Sequence, residues 1–234
     1  MILCLETSTT VCSVALCDSN GPVDLRESSG NKSHASLLTV FIGELLSAAG
    51  LNANDLEAVA VSKGPGSYTG LRIGVSTAKG IAYAASLPLI GVGTTLSMFH
   101  GIDDKMRNKY GLAANSLFIP MLDARRMEVY YSILDTEGRT VKETSAEIID
   151  EQSFTDIPRD TRLLFFGDGA AKCRDIISRE NAVFADDFVI SAAHMYKPAF
   201  KSLMQQNFED IAYFEPFYLK DFITSRPKKN VLGR

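Results

Sequence analysis

The apolar and polar positions of the chain change period several times, and each change marks an element. Residues 2–5 and 11–17 are apolar runs of strand length joined by Glu6-Thr7-Ser8-Thr9-Thr10, so the chain opens on a hairpin. A third strand is expected at 23–27, after the turn Asp18-Ser19-Asn20-Gly21. The period then becomes helical. From His34 the residues Leu37, Leu38, Phe41, Ile42, Leu45, Ala48 and Ala49 recur at helical spacing up to Gly50, with Asn31 or Ser33 as cap. A buried strand at 56–61 runs into a Gly64-Pro65-Gly66 loop. A helix over 69–85 follows, stopped by Pro88, and a second strand comes before the stretch ends at Phe99.

Two features of these helices call for neighbours. Gly70, Gly74, Ala78 and Ala82 recur every four residues and form one row without bulky side chains. Gly inside a helix costs about 0.5–1 kcal/mol relative to Ala, so this row predicts that a sheet or second helix approaches closely. Arg72, Ser76, Lys79 and Tyr83 form another row that reads as a wet face. The helix beginning at His34 carries Val40 and Leu46, with Gly43, outside its main stripe, which predicts a second partner helix.

After Phe99, residues 100–114 are polar, charged and aperiodic, and the domain boundary is placed there, giving halves 1–99 and 100–234. Residues 117–122, 128–134 and 141–149 then read as a second meander. A short strand at 163–166 ends in Gly167-Asp168-Gly169, with a helix expected over 170–178. Residues 191–207 are expected to be helical on both sides of Pro198, which breaks the helix or begins its second piece. Both halves thus repeat meander, strand, glycine turn and helix.

GPGSYTGLRIGVSTAKGIA followed by PLIGVG resembles the signature of the bacterial TsaB (YeaZ) family. The resemblance continues in ILCLETS, in His34-Ala35-Ser36-Leu37-Leu38, in Met121-Leu122-Asp123-Ala124-Arg125-Arg126, in Gly167-Asp168-Gly169-Ala170 and in Pro216-Phe217-Tyr218-Leu219. It implies an α/β fold of the actin-like, sugar kinase and heat-shock ATPase (ASKHA) type, with two duplicated α/β domains, each around a mixed central sheet. It also implies a non-catalytic, dimerising subunit of the complex that forms N6-threonylcarbamoyladenosine at position 37 of tRNAs reading codons that begin with A. The implied partners are a TsaD-type catalytic subunit, a TsaE-type ATPase, and tRNA through the complex; a homodimer is open as well. ATP would be used by the assembled complex, and no cofactor would be held tightly by this chain. Partner binding is expected at His34, Leu37, Val40, Phe41, Leu46, Leu71, Arg72, Val75 and Lys79.

Composition narrows the rest. No window reaches the roughly 18–20 apolar residues of a membrane span, and no basic region precedes an apolar one at the N-terminus, so a cytoplasmic location is expected. Cys4, Cys12, Cys17 and Cys173 lack paired metal-site spacing and read as reduced core residues. The net charge of −4 argues against general adhesion to nucleic acid. The best local candidate for RNA contact is the tail with Arg226, Lys228, Lys229 and Arg234.

In active members of the actin-like fold the first hairpin turn holds phosphate. Here that turn contains Glu6, Thr7 and Ser8, which fits either a capped turn or a phosphate cradle without glycine. Gly64-Pro65-Gly66-Ser67 ahead of a helix is a weak anion signal with no Walker ending. Asp123 and Arg125 occupy the corresponding turn of the second half, and Gly167, Asp168 and Gly169 the place of an adenosine; a vestigial nucleotide site and charged structural turns both remain open. The TsaD-type His-x-x-x-His is absent: Thr94 and Met98 stand at its positions, so no metal site is expected. No Ser-His-Asp set or Gly-x-Ser-x-Gly elbow is present. The runner-up reading is an ATP-binding phosphotransferase using Glu6, Asp123 and residues 167–169.

Overall fold

The computed structural model describes residues 1–28 and 34–220. The caps expected at Asn31 or Ser33 and the basic tail lie outside them. Strands β1 (Ile2–Glu6), β2 (Cys12–Asp18) and β3 (Gly21–Ser28) form an antiparallel meander, followed by helix α1 (His34–Ala49), strand β4 (Ala58–Gly64), helix α2 (Tyr68–Ala84) and strand β5 (Leu89–Gly93). Because β4 pairs parallel with β1, and β5 with β4, the first sheet has the order β3-β2-β1-β4-β5. Helices α3 (Thr94–His100) and α4 (Asp104–Lys109) lead to a second meander of β6 (Leu117–Asp123), β7 (Glu128–Leu134) and β8 (Thr140–Ile148). Strands β9 (Leu163–Phe166) and β10 (Ala182–Ala185) add in parallel, giving β10-β9-β6-β7-β8. The second sheet repeats the first strand for strand, which is the duplicated ASKHA plan.

Strands β1 and β4 read as unbroken apolar runs because both faces of the first sheet are covered. Leu3, Leu5, Val59 and Val61 pack under α1 and α2 through Leu38, Leu45, Val75 and Ala78. Ile2, Cys4, Ala58 and Ala60 face the opposite way, onto Ala192, Met195 and Ala199. The last of these lies on helix α5 (Tyr196–Met204), the others on the 3-10 turn before it. The expected boundary at residue 99/100 falls between the strands of the two sheets. The packing, however, crosses it twice: residues 192–204 return to the first sheet, while Met98 and Phe99 of α3 join Phe118, Leu122 and Phe166 in the core of the second.

Two local expectations change. Helix α3 occupies the end of the stretch read as a second strand. Only a 3-10 turn, Ala171–Cys173, forms where a helix over 170–178 is expected. The N–H groups of Ile176 and Ile177 both double back to the Cys173 carbonyl, and Ile177 folds into the core. Of the two roles open to Pro198, breaking the helical stretch or beginning its second piece, it takes the second: the 3-10 turn Ala192–Met195 gives way to α5 at Tyr196. Pro198 sits in the first turn of α5, where its missing N–H has no intrahelical partner. All four cysteines are buried and free. Among the described residues no helix is long and apolar enough to cross a membrane.

Candidate functional site

The first hairpin turn is closed by the chain's own groups. Glu6, the last residue of β1, accepts the Ser8 N–H on Oε1 at 2.7 Å; the Thr7 N–H donates to Ser62 Oγ at 3.4 Å and the Val11 N–H to Thr9 Oγ1 at 3.2 Å. Glu6, Thr7, Ser8 and Thr9 are all buried. Burial pushes the Glu6 carboxyl above its usual range, opposed by its bonds to Ser8 and Ser62. What buries the turn is the glycine row. A Cβ at Gly70 or Gly74 would lie under 3.0 Å from the Thr7 carbonyl oxygen or hydroxyl, and one at Gly66 would collide with Ser8. The Ser67 N–H also donates to the Ser8 carbonyl at 2.6 Å. The close neighbour expected from the glycine spacing is thus the chain's own β1–β2 turn.

The second turn repeats the device. Asp123, the last residue of β6, accepts the Arg125 N–H at 3.0 Å, and its own N–H donates to Asp168 Oδ1 at 3.1 Å. Lys172 forms an ion pair with Asp123 and donates to the Glu128 carbonyl at 2.7 Å, and Lys220 pairs with Glu128. Gly167 and Gly169 lie so close to the Met121 and Leu122 backbone that no Cβ fits at either. Burial raises the Asp168 carboxyl, and the Asp123 charge adds to that rise. Arg125 is exposed in a left-handed conformation with φ 70°.

Between the turns is a cleft of about 390 Å³ lined by Thr10, Val11, Met98, Leu122, Asp168 and Phe188, among others. Asp186 also lines it, and among the described residues no basic side chain does. At each turn a carboxylate holds one backbone N–H, the cleft presents further acid, and Lys172 pairs with Asp123, the candidate metal ligand. Glu6, Thr7, Ser8, Asp123, Arg125, Gly167, Asp168 and Gly169, the residues expected at a vestigial nucleotide site, thus lie in or against two turns, each capped by a carboxylate. Thr94 and Met98 are buried on α3, and among the described residues no three His, Cys, Asp or Glu side chains cluster as metal ligands.

The helix face also divides differently from expectation. Leu71 and Val75 are buried in the chain's own core and are not available to a partner. His34 is half-buried, its Nε2 at 3.2 Å from the Val11 carbonyl, so it ties α1 to the first sheet. Leu37, Phe41 and Leu46 are half-buried against the first core. The row read as a wet face stays exposed at Arg72, Ser76 and Tyr83, but residues 209–220, a strap without regular structure whose importance the sequence reading missed, bond to it at Arg72 and Lys79. Arg72 donates to Tyr218 Oη at 3.2 Å and lies 4.4 Å from the Tyr68 ring centre, and Lys79 donates to the Phe214 carbonyl at 3.0 Å. The Phe217 N–H donates to the Lys63 carbonyl at 2.6 Å, and Phe214 is buried. The sequence signal was the aromatic spacing of Phe214, Phe217 and Tyr218. What faces outward beside the strap is small and mostly uncharged: Thr39, Val40, Gly43 and Ser47 on α1, Ser76, Gly80 and Tyr83 on α2. Val40 is 49% exposed, and nothing lies within 4 Å of a Cβ built on Gly43 or Gly80.

Comparison with known proteins agrees with this architecture. The family model described as TsaD, tRNA N6-adenosine threonylcarbamoyltransferase, matches residues 28–221. A tRNA threonylcarbamoyladenosine biosynthesis protein TsaB of Escherichia coli is 37% identical over 131 residues, 56% of this chain and 53% of that protein. The TsaB of Haemophilus influenzae is 27% identical over 95% of this chain and 94% of its own length. The crystal structure of YeaZ from Pseudomonas aeruginosa superposes with a TM-score of 0.74 at 24% identity, over 93% of this chain and 99% of that one, a likeness of fold. The chain belongs to the family that the TsaD model describes, and its curated relatives place it among the TsaB proteins.

Proposed function

We propose that the chain is a non-catalytic subunit of the cytoplasmic complex that forms N6-threonylcarbamoyladenosine at position 37 of tRNA, docking on a TsaD-type catalytic subunit through α1 and α2. The observation that carries this reading is the pair of acid-capped turns: where a phosphotransferase of this fold would hold phosphate, Glu6 and Asp123 occupy the donors. The outer surface of α1 and α2 supports the docking. Its small residues allow a partner helix to approach closely, and it offers little charge to desolvate. The names of the curated relatives supply the pathway. A homodimer would use the same patch in the absence of a partner, since a two-fold axis reuses one surface. ATP, a TsaE-type ATPase and tRNA belong to the assembled complex, and this subunit acts on turnover by biasing the conformations of its partner.

The test is reconstitution with TsaD-type and TsaE-type partners, threonylcarbamoyl-adenylate and tRNA, counting the modified nucleoside while complex formation is followed by size exclusion. Val40→Glu should abolish both, because it puts a charge at the centre of the interface. Asp123→Ala should leave the complex and its turnover within a few-fold of normal. Loss of turnover by Asp123→Ala in an intact complex would refute the non-catalytic reading, and an intact complex with Val40→Glu would refute the interface.

A further inference from the structure

A cavity of about 430 Å³ lies between the end of α3, the start of α4 and the start of α5, away from both hairpin turns and from the α1–α2 face. His100, Arg107 and Lys197 line it together with Tyr196. Arg107 is half-buried, its guanidinium 4.6 Å from the Phe118 ring centre and 5.5 Å from that of Phe99, so aromatic rings hold its fork in place. Among the described residues no carboxylate reaches ion-pair distance of Arg107, Lys197 or the neighbouring Lys201. The cavity also touches Asp103 and Asp104, but these serve the start of α4: Asp103 Oδ1 accepts the Met106 N–H at 2.7 Å, and Asp104 stands in the first turn.

We propose that this cavity binds a phosphate group, with Arg107 as bidentate donor, Lys197 as second cation and His100 as a proton-accepting wall. The chemistry follows from what surrounds His100. Burial, then the charges of Lys197 and Lys201 on α5, Arg107 on α4 and His194 on the preceding 3-10 turn, hold its imidazole down to about 4, with Asp103 and Asp104 the acids on the α4 side. A doubly charged anion in the cavity offsets those cations, so His100 takes up a proton as the phosphate enters and becomes a third donor. The phosphate arrives either on a small phosphorylated molecule, as a monoester of up to two charges, or as a singly charged backbone phosphate of RNA, which would raise His100 less.

The test follows the His100 imidazole resonances of the full chain by NMR, titrating inorganic phosphate, then a nucleoside monophosphate, then an RNA stem-loop. Saturable shifts, with the His100 titration midpoint moving upward, are expected. Arg107→Gln and Lys197→Gln should each weaken binding by about tenfold. Lys197 is exposed, so its replacement leaves folding intact and keeps the test decisive. Comparable affinity for phosphate and mononucleotide supports a small-molecule source; RNA binding about tenfold tighter and falling with salt supports a backbone phosphate. The proposal is overturned by no response of His100 to any of the three probes at about 10 mM, far above the affinity of a built charge-paired site. It is equally overturned by a response that survives Lys197→Gln unchanged, or by one that Arg125→Gln at the second turn abolishes.

Discussion

Replacing the glycines of α2 one at a time by alanine should change stability with opposite signs along a single helix. Helix propensity favours alanine at each position by about 0.5–1 kcal/mol. At Gly80 nothing lies within 4 Å of the new methyl. Gly80→Ala should therefore stabilise by that amount, raising Tm by about 1–4 °C for a chain of this size. At Gly70 and Gly74 the methyl would lie under 3.0 Å from the carbonyl oxygen and hydroxyl of Thr7. The carbonyl oxygen does not yield easily, because Thr7 is fully buried and its turn is held by the 2.6 Å bond from the Ser67 N–H to the Ser8 carbonyl. Relief means lifting α2 from the sheet and loosening Val75, Ala78 and Ala82, which pack in the core. Overpacking of this kind costs about 1–3 kcal/mol and exceeds the propensity gain when the obstacle is backbone. Gly70→Ala should thus be destabilising by about 1–2 kcal/mol net, with Gly74→Ala milder because a side-chain hydroxyl can rotate. Urea melts of the isolated chain measure all three. A Gly70→Ala variant as stable as Gly80→Ala would show that the row is not the seat of α2 on the turn.

Acid should weaken the fold through His194, which burial holds down to about 4. On acidification the unfolded chain takes up this proton first, so stability present above pH 6.5 is lost between pH 6.5 and about 4, by up to about 3 kcal/mol for this ring. His100 acts in the same direction, whereas Glu6, raised by burial, loses stability as pH rises above its unfolded value of 4.5. Urea melts from pH 4.5 to 7.5 should show stability climbing with pH, more steeply in Glu6→Gln; a flat profile would refute the burial of His194. Truncating the strap anchor by Phe214→Ala should cost about 3 kcal/mol or more and expose residues 209–220 to proteolysis, while Tyr213→Ala, 84% exposed, should change stability by less than about 0.5 kcal/mol. Equal losses from the two would mean that the strap is not anchored at Phe214.

The period of the apolar positions determined the meanders, α1, β4 and α2, because burial on one or two faces imposes a period of two, an unbroken run or a helical stripe on neighbouring residues. The glycine row in α2 likewise announced a close approach, since backbone contact leaves room for no side chain. Neither signal names its partner. That Thr7 meets Gly70, that Lys172 neutralises Asp123 across 49 positions, and that the Phe217 N–H reaches the Lys63 carbonyl are pairings between distant segments. They decided that Leu71 and Val75 belong to the core, that the strap bonds to Arg72 and Lys79, and that a carboxylate caps each turn. A local pattern records how much surface a residue buries and on which side, whereas the group it is buried against depends on how the two halves dock, and only the tertiary structure carries that.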